Sequence, residues 1–263
     1  MLRARGHEGP RPGRRGDGRR ERHRTRPRAT LHRRRGAATW WSPTSPGHRE
    51  VAAEIGGTGI GTDVADPTQV AELVRRTESE IGPIGLFCSN AGIGAWGGAE
   101  APDEEWERIW RINVMGHVYA AREVVPPMSA RGGGWLLNTA SAAGLLTQLG
   151  SAPYSVTKHA AVGLAEWLAI THGPQGIGVS VLCPQGVRTP MTAPLGDAGG
   201  VVGVDGMLEP EDVATTVVEG LADERFLILP HPEVAEYFQR KANDHERWIP
   251  GMQRLQARLL DGS

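Results

Sequence analysis

The chain has 263 residues, 39% of them apolar, and a formal net charge of −1, ordinary values for a globular protein with room for one large domain and a substantial core. No apolar run reaches the roughly 18–20 residues of a membrane-spanning helix, and the basic front lacks the apolar segment of a secretory signal. The two cysteines, Cys88 and Cys183, have no metal-ligand spacing, so the expectation is a cytoplasmic protein with two buried, reduced thiols and no metal site.

The charge is unevenly spread. Residues 1–50 hold 15 arginines, four acids and no lysine, a net of +11, which leaves −12 for the remainder. From about Arg49 apolar runs alternate with amphipathic ones. PIGLFCSNAG (83–92) reads as a buried strand ending in a loop, and EEWERIWRINVMGHVYAAREVVPPM (104–128) has helical periodicity. GGWLLNTAS (133–141) reads as a strand, APYSVTKHAAVGLAEWLAITHG (152–173) as a long helix closed by glycine, and GIGVSVLCPQGV (176–187) as a third strand. EPEDVATTVVEGLAD (209–223) is a further helix and RFLILP (225–230) a last short strand. Strands alternating with helices at this spacing predict an α/β fold, a parallel sheet wrapped on both faces, with ligands beyond the carboxyl ends of the strands.

The most informative stretch is YSVTK, which places Tyr154 and Lys158 four apart on one helix face. A free phenol has a pKa near 10; a neighbouring ammonium favours phenolate and tunes it for proton exchange with an alcohol oxygen. Alone, the pair would more often be a helix-surface contact. It has company: Ser141 ends the strand WLLNTAS, Asn90-Ala91-Gly92 follows IGLFCS, and Asn113 sits mid-helix, where a buried amide is unfavourable unless its side chain is used. PQGVRTP (184–190) follows the strand VSVLC.

In this order, over roughly Glu50 to Leu229, these residues resemble the short-chain dehydrogenase/reductase family. The resemblance implies a Rossmann-like doubly wound parallel sheet and an NAD(P)-dependent enzyme interconverting an alcohol and a carbonyl. It implies that Tyr154 is the general acid/base, that Ser141 orients the substrate oxygen, and that Lys158 holds the nicotinamide ribose and lowers the tyrosine pKa. Asn113 would keep a water in the relay from the lysine to solvent. Asn90, Ala91 and Gly92 would pack on the adenosine half of the cofactor, and Asp63 and Val64 would meet the adenine edge. Val187 and Thr189 would contact the carboxamide from the turn of Pro184 and Gly186, where Gln185 makes the usual PG a PQG. Family members usually pair through long helices, here about 104–128 and 152–173, so a homodimer or homotetramer is expected. The substrate is not readable; the glycine-rich segment 191–207, with Leu195, Val201, Val202 and Met207, suggests a mobile lid over a mostly apolar compound.

One part of the pattern is absent. The family's phosphate-binding turn, TGxxxGIG after the first strand, has no match in residues 1–47. GGTGIG (56–61) follows a helical stretch and leads into TDV, so it reads as a turn before a strand at 62–64. The arginine-rich front has three readings: a disordered basic arm, a nucleic-acid-binding tail, or GC-rich DNA read out of frame. The absence of aromatics between Arg3 and Arg35 argues against nucleic acid. The third reading is checkable from the genetic code. Shifting Arg11 to Arg26 by one base permits GRVAVVTGAGSGIGR, a strand followed by the missing turn. Shifting Ala37 to Gly47 by two bases permits GDVVVADLAG, a second strand whose closing acid favours NAD over NADP. The expected organisation is thus a disordered or out-of-frame segment over 1–47 and the Rossmann-like domain over 48–263, with its first β-α-β portion missing or degraded. The competing functional reading is a catalytically impaired remnant that does not bind cofactor.

Overall fold

In the computed structural model, residues 37–40, 52–193 and 200–260 are described, all within one compact unit, His32–Ser263. The expectations for residues 1–36 and 41–47, and for the middle of the 191–207 lid, lie outside the described residues. Strand β1 (Ala37–Trp40) pairs in parallel with β2 (Thr58–Gly61). Four more strands, β3 (Leu86–Ser89), β4 (Gly134–Thr139), β5 (Ile177–Leu182) and β6 (Leu227–Ile228), form a parallel sheet in that order.

Parallel neighbours need crossovers, which helices supply. They are α1 (Pro67–Arg76), α2 (Asp103–Trp110), α3 (Gly116–Ala130), the short α4 (Ala143–Leu146), α5 (Ala152–His172) and α6 (Pro210–Ala222); α7 (Glu233–Asn243) and α8 (His245–Leu260) follow the last strand. This is the doubly wound α/β architecture expected. Helix α1 shows how locally it is specified. The Asp66 carboxylate accepts from the Thr68 and Gln69 N–H groups, Pro67 takes the first turn, and Val70, Leu73 and Val74 recur on the buried face.

Strand period two divides the core. Leu136, Val179 and Val181 face α3 and α5, packing with Val124, Met128, Ala161 and Ala165. Leu137, Leu182 and Ile228 face the other way, under Val213, Val217 and Leu221 of α6. Residues buried on both faces explain why these strands read as continuous apolar runs.

Three local expectations are corrected. Strand β2 lies inside GGTGIG, at Thr58–Gly61, with the turn at Gly56 (φ +67°), so residues 62–64 are loop rather than strand. The helix expected over 104–128 is α2 and α3 joined by a π turn at Arg111–Met115. Cys183 is buried but Cys88 is exposed, because β3 is an edge strand among the described residues. No helix among them is long and apolar enough to cross a membrane, and none of their His, Cys, Asp and Glu side chains cluster as a metal site would.

Candidate active site

The site is assembled where β3, β4 and β5 end. Past β4 the Ala140 N–H donates to Leu182 O and the Ala142 N–H to Pro184 O, both at 2.8 Å, lacing the two loops together. Ser141 stands between them. Its Oγ accepts from the Ala143 N–H (3.1 Å) and donates to Pro184 O at a long 3.3 Å. Helix α5 then brings Tyr154 and Lys158 to the same wall, with the Lys158 ammonium 5.5 Å from the Tyr154 ring centroid. The Ser151 hydroxyl donates to Ala95 O, and Gly97 and Ser151 form a parallel bridge, so the loop after β3 is pinned to the start of α5.

Lys158 is only 3% exposed, and its Nζ donates to Thr139 O at 3.1 Å. Burial lowers its pKa to about 8. Burial also pushes the Tyr154 phenol above its ordinary value, with the Ser141 hydroxyl pulling it back. The lysine effect on the tyrosine that the resemblance implied is not what dominates here; desolvation does.

Asn113 is fully buried in the π turn, a feature that favours functional positions because it aims one side chain off the helical register. Its Oδ1 accepts from the Ile93 N–H (2.8 Å), and its Nδ2 donates to Ile93 O (2.9 Å) and Thr157 Oγ1 (3.3 Å). It therefore clamps the loop after β3 onto α5. Gly92 explains the NAG turn: a Cβ there would sit 3.3 Å from Asn113 Oδ1 and 3.4 Å from Lys158 Nζ. Asn113→Ala should lose about 2 kcal/mol, because the half-buried Ile93 backbone groups lose their fully buried partner, and lower the Tm by about 4–8 °C. Thermal unfolding of both proteins measures it.

One cavity of about 1460 Å³ is lined by Asn90, Gly92, Ser141, Tyr154, Lys158, Pro184, Val187 and Thr189. Ala91, Asn113 and Gly186 support this wall without lining it. Asp63 and Val64 follow β2: the Asp63 carboxylate accepts from the Ala65 N–H (2.9 Å) and Val64 packs against Gly116. Gly186 is a close approach. A Cβ there would meet Met207 Sδ and come within 2.7 Å of Val202 O, while Gly186 O accepts from the Leu208 N–H. The far end of the expected lid is thus fastened to the PQG turn, and Gly186→Ala should pry it off and raise KM for substrate, read by steady-state kinetics.

Several participants escaped the sequence reading. His117, one turn beyond Asn113, is 2% exposed, and its Nδ1 lies 2.7 Å from Ser89 Oγ. Burial, aided by Lys158, lowers its pKa to about 3, so it is a neutral imidazole. The unfolded chain takes up a proton near pH 6.5 and the folded one does not, so stability present above that pH falls on acidification. His117→Asn should flatten the fall by about 2 kcal/mol between pH 6.5 and about pH 5, read by urea unfolding at each pH. His231, 2% exposed, accepts from the Gln185 N–H through Nδ1 (3.2 Å), which explains how the extra residue of the PQG turn is held.

The short chain dehydrogenase family model matches residues 35–199. The chain belongs to this family. The match starts at residue 35, ahead of Glu50, where the motif resemblance begins. A 1-deoxy-11-beta-hydroxypentalenate dehydrogenase from Streptomyces exfoliatus is 36% identical over 184 residues, covering 67% of this chain and 65% of the relative. The oxidoreductase UcpA of Escherichia coli (strain K12) is 30% identical over 219 residues, 80% of each chain. A crystal structure of a short chain dehydrogenase/reductase from Burkholderia phymatum in complex with NAD superposes with a TM-score of 0.66 at 30% identity, covering 75% of this chain and 79% of that one.

Proposed function

We propose that this protein is an oxidoreductase that interconverts an alcohol and a carbonyl with NAD, and that Tyr154 moves the proton. The observation that carries the reading is the convergence of Tyr154, Ser141 and Lys158 on one cavity wall at the carboxyl ends of the strands. The Burkholderia structure with NAD and the Streptomyces dehydrogenase of a hydroxylated compound support it.

The described residues fit the nicotinamide-ribose half of the cofactor. Lys158 uses one hydrogen bond, to Thr139 O, leaving two N–H donors for two ribose hydroxyls. Gly92 keeps the approach to that ammonium free of a side chain, and Val187 and Thr189 border the same space. Asp63 and Val64 would serve the adenine edge, and Asn90 and Ala91 the adenosine half. The cofactor supplies hydride chemistry; the protein supplies orientation and the proton. Ser141 turns its hydroxyl from the long Pro184 contact to the substrate oxygen, and the Tyr154 hydroxyl donates to the same oxygen in reduction and recovers the proton in oxidation. Asn113 keeps the lysine and the loop after β3 in register; its relay water would sit beside this clamp.

Because desolvation raises the Tyr154 pKa, the phenol is protonated at neutral pH. Carbonyl reduction should be level through neutrality and fall only under alkaline conditions, whereas alcohol oxidation should climb with pH across the same range. A pH profile of both directions checks this; an oxidation rate already level at pH 6 would remove Tyr154 as the base. Assembly follows the long helices: Trp110 on α2 and Val156, Trp167 and Ile170 on α5 are exposed apolar groups, Ile170 at 78%. A homodimer or homotetramer is proposed, measured by light scattering.

A further inference from the structure

The cavity does not end at Tyr154. Its outer wall is α8, which presents two stripes to it. Trp248, Met252 and Leu255 form an apolar stripe, and Arg247, Arg254 and Arg258, spaced seven and four apart, lie on one helix face beside it. Seven other arginines of the described residues are paired with a carboxylate, from Arg75 with Glu72 to Arg240 with Glu236, while Arg122 lies over the Tyr119 ring and Arg111, like it away from the cavity, has no ion pair among the described residues. Arg247, Arg254 and Arg258 have no side-chain ion pair among the described residues. Of the two carboxylates on the cavity lining, Asp205 accepts from the Tyr237 hydroxyl through Oδ1 (2.9 Å), its Oδ2 being buried without a partner among the described residues, and Asp244 accepts from the Arg247 backbone N–H (2.9 Å); neither forms an ion pair with the three arginines.

Gly251 sits on the arginine stripe, four residues after Arg247 and three before Arg254. A Cβ there would meet nothing nearer than an Arg254 terminal nitrogen at 4.0 Å, so the stripe contains an open notch between guanidinium groups. The same cavity is also lined by Leu146, Leu149, Val202 and Val213. A cavity lined by a proton donor, apolar side chains and planar cations without ion pairs matches a molecule that carries the complement of each.

We propose that the substrate is an oxo or hydroxy acid: a carbonyl or alcohol at Tyr154, an apolar body, and a carboxylate held by Arg247, Arg254 and Arg258. This rests on the oxidoreductase reading of the same cavity and adds the substrate's charge to it. The test uses the full chain and methyl-ketone acids of increasing chain length, each beside its methyl ester. NADH oxidation is followed at low and high salt. Acids should exceed esters in kcat/KM by about tenfold or more, through KM, at the length that spans from Tyr154 to the notch. The advantage should shrink as salt screens the guanidinium groups. The double variant Arg254→Glu with Arg258→Glu should raise KM for the acid and leave the ester unchanged. Gly251→Leu, which fills the notch without altering charge, should raise KM for acid and ester of that length alike.

A second readout does not depend on turnover. The acid should raise the Tm of the wild-type protein and not that of the Arg254→Glu, Arg258→Glu variant. Equal treatment of acid and ester, or a Tm shift that survives the double variant, overturns the proposal. Absence of NADH oxidation with every acid and every ester would instead overturn the oxidoreductase reading, with the Tm comparison still deciding the arginine assignment.

Discussion

Tyr154→Phe should lower turnover by about a hundredfold to ten-thousandfold while leaving NADH affinity within about twofold. The change removes one oxygen from a half-buried ring and nothing that the loop or the sheet leans on. The Tyr154 hydroxyl has no structural hydrogen bond to lose beyond its contact with Ser141, so Tm should stay close to that of the parent. Lys158→Met makes the complementary case. The folded protein holds this ammonium out of water, with its pKa lowered to about 8 from 10.5. Below about pH 8 that costs stability, and the cost fades as pH rises toward 10.5, because the unfolded chain binds the proton more tightly over that window. The methionine should therefore raise Tm at neutral pH, with the gain vanishing in alkali, while NADH binding weakens. A residue that destabilises the fold and is needed for binding marks a functional site. If the Phe variant kept turnover within about tenfold of wild type, another group would be the acid/base.

The contrast between these two residues also shows what was legible beforehand. YSVTK spacing alone places Tyr154 and Lys158 on one face, and alternating apolar runs place the strands whose ends gather Ser141, Asn90 and Pro184. Periodicity could not reveal the π turn at Asn113: a single wider turn changes which side chain points inward without altering the apolar pattern over 104–128. Strand β2 was hidden because Thr-Gly-Ile-Gly has almost no side chains with which to announce a strand; its pairing with β1 makes it one. The exposure of Cys88 depends on what lies beside β3, which composition cannot supply. Nothing in the spacing of Arg247, Arg254 and Arg258 marks the cavity they line, since only the tertiary fold turns that helix face toward it. His117 was legible in part, being four residues after Asn113, but its partner Ser89 is 28 residues away in the chain.

Replacing residues 1–47 with the shifted reading should raise NADH affinity by about a hundredfold or more. We propose this because the written residues 1–47 contain no TGxxxGIG, and a pyrophosphate on a helix N-terminus draws charge-assisted hydrogen bonds from such a turn, two of which account for a factor of that size. The written chain already supplies a strand at Ala37–Trp40 opposite β2, and the family match begins at residue 35, so the replacement exchanges a strand for a strand there and adds the phosphate turn upstream. The shifted second strand ends in aspartate, which accepts from a ribose 2′-hydroxyl and repels a 2′-phosphate, so NADH should bind about tenfold or more tighter than NADPH. A readout without cofactor runs alongside. The added first strand belongs mid-sheet, next to β3, where Cys88 is now exposed. Modification of Cys88 by a thiol reagent should slow in the repaired chain and be unaffected by deleting residues 1–47 from the written one. Fluorescence titration with NADH decides the matter: micromolar binding by the written chain would sink the out-of-frame account, since the phosphate turn it lacks would then be dispensable.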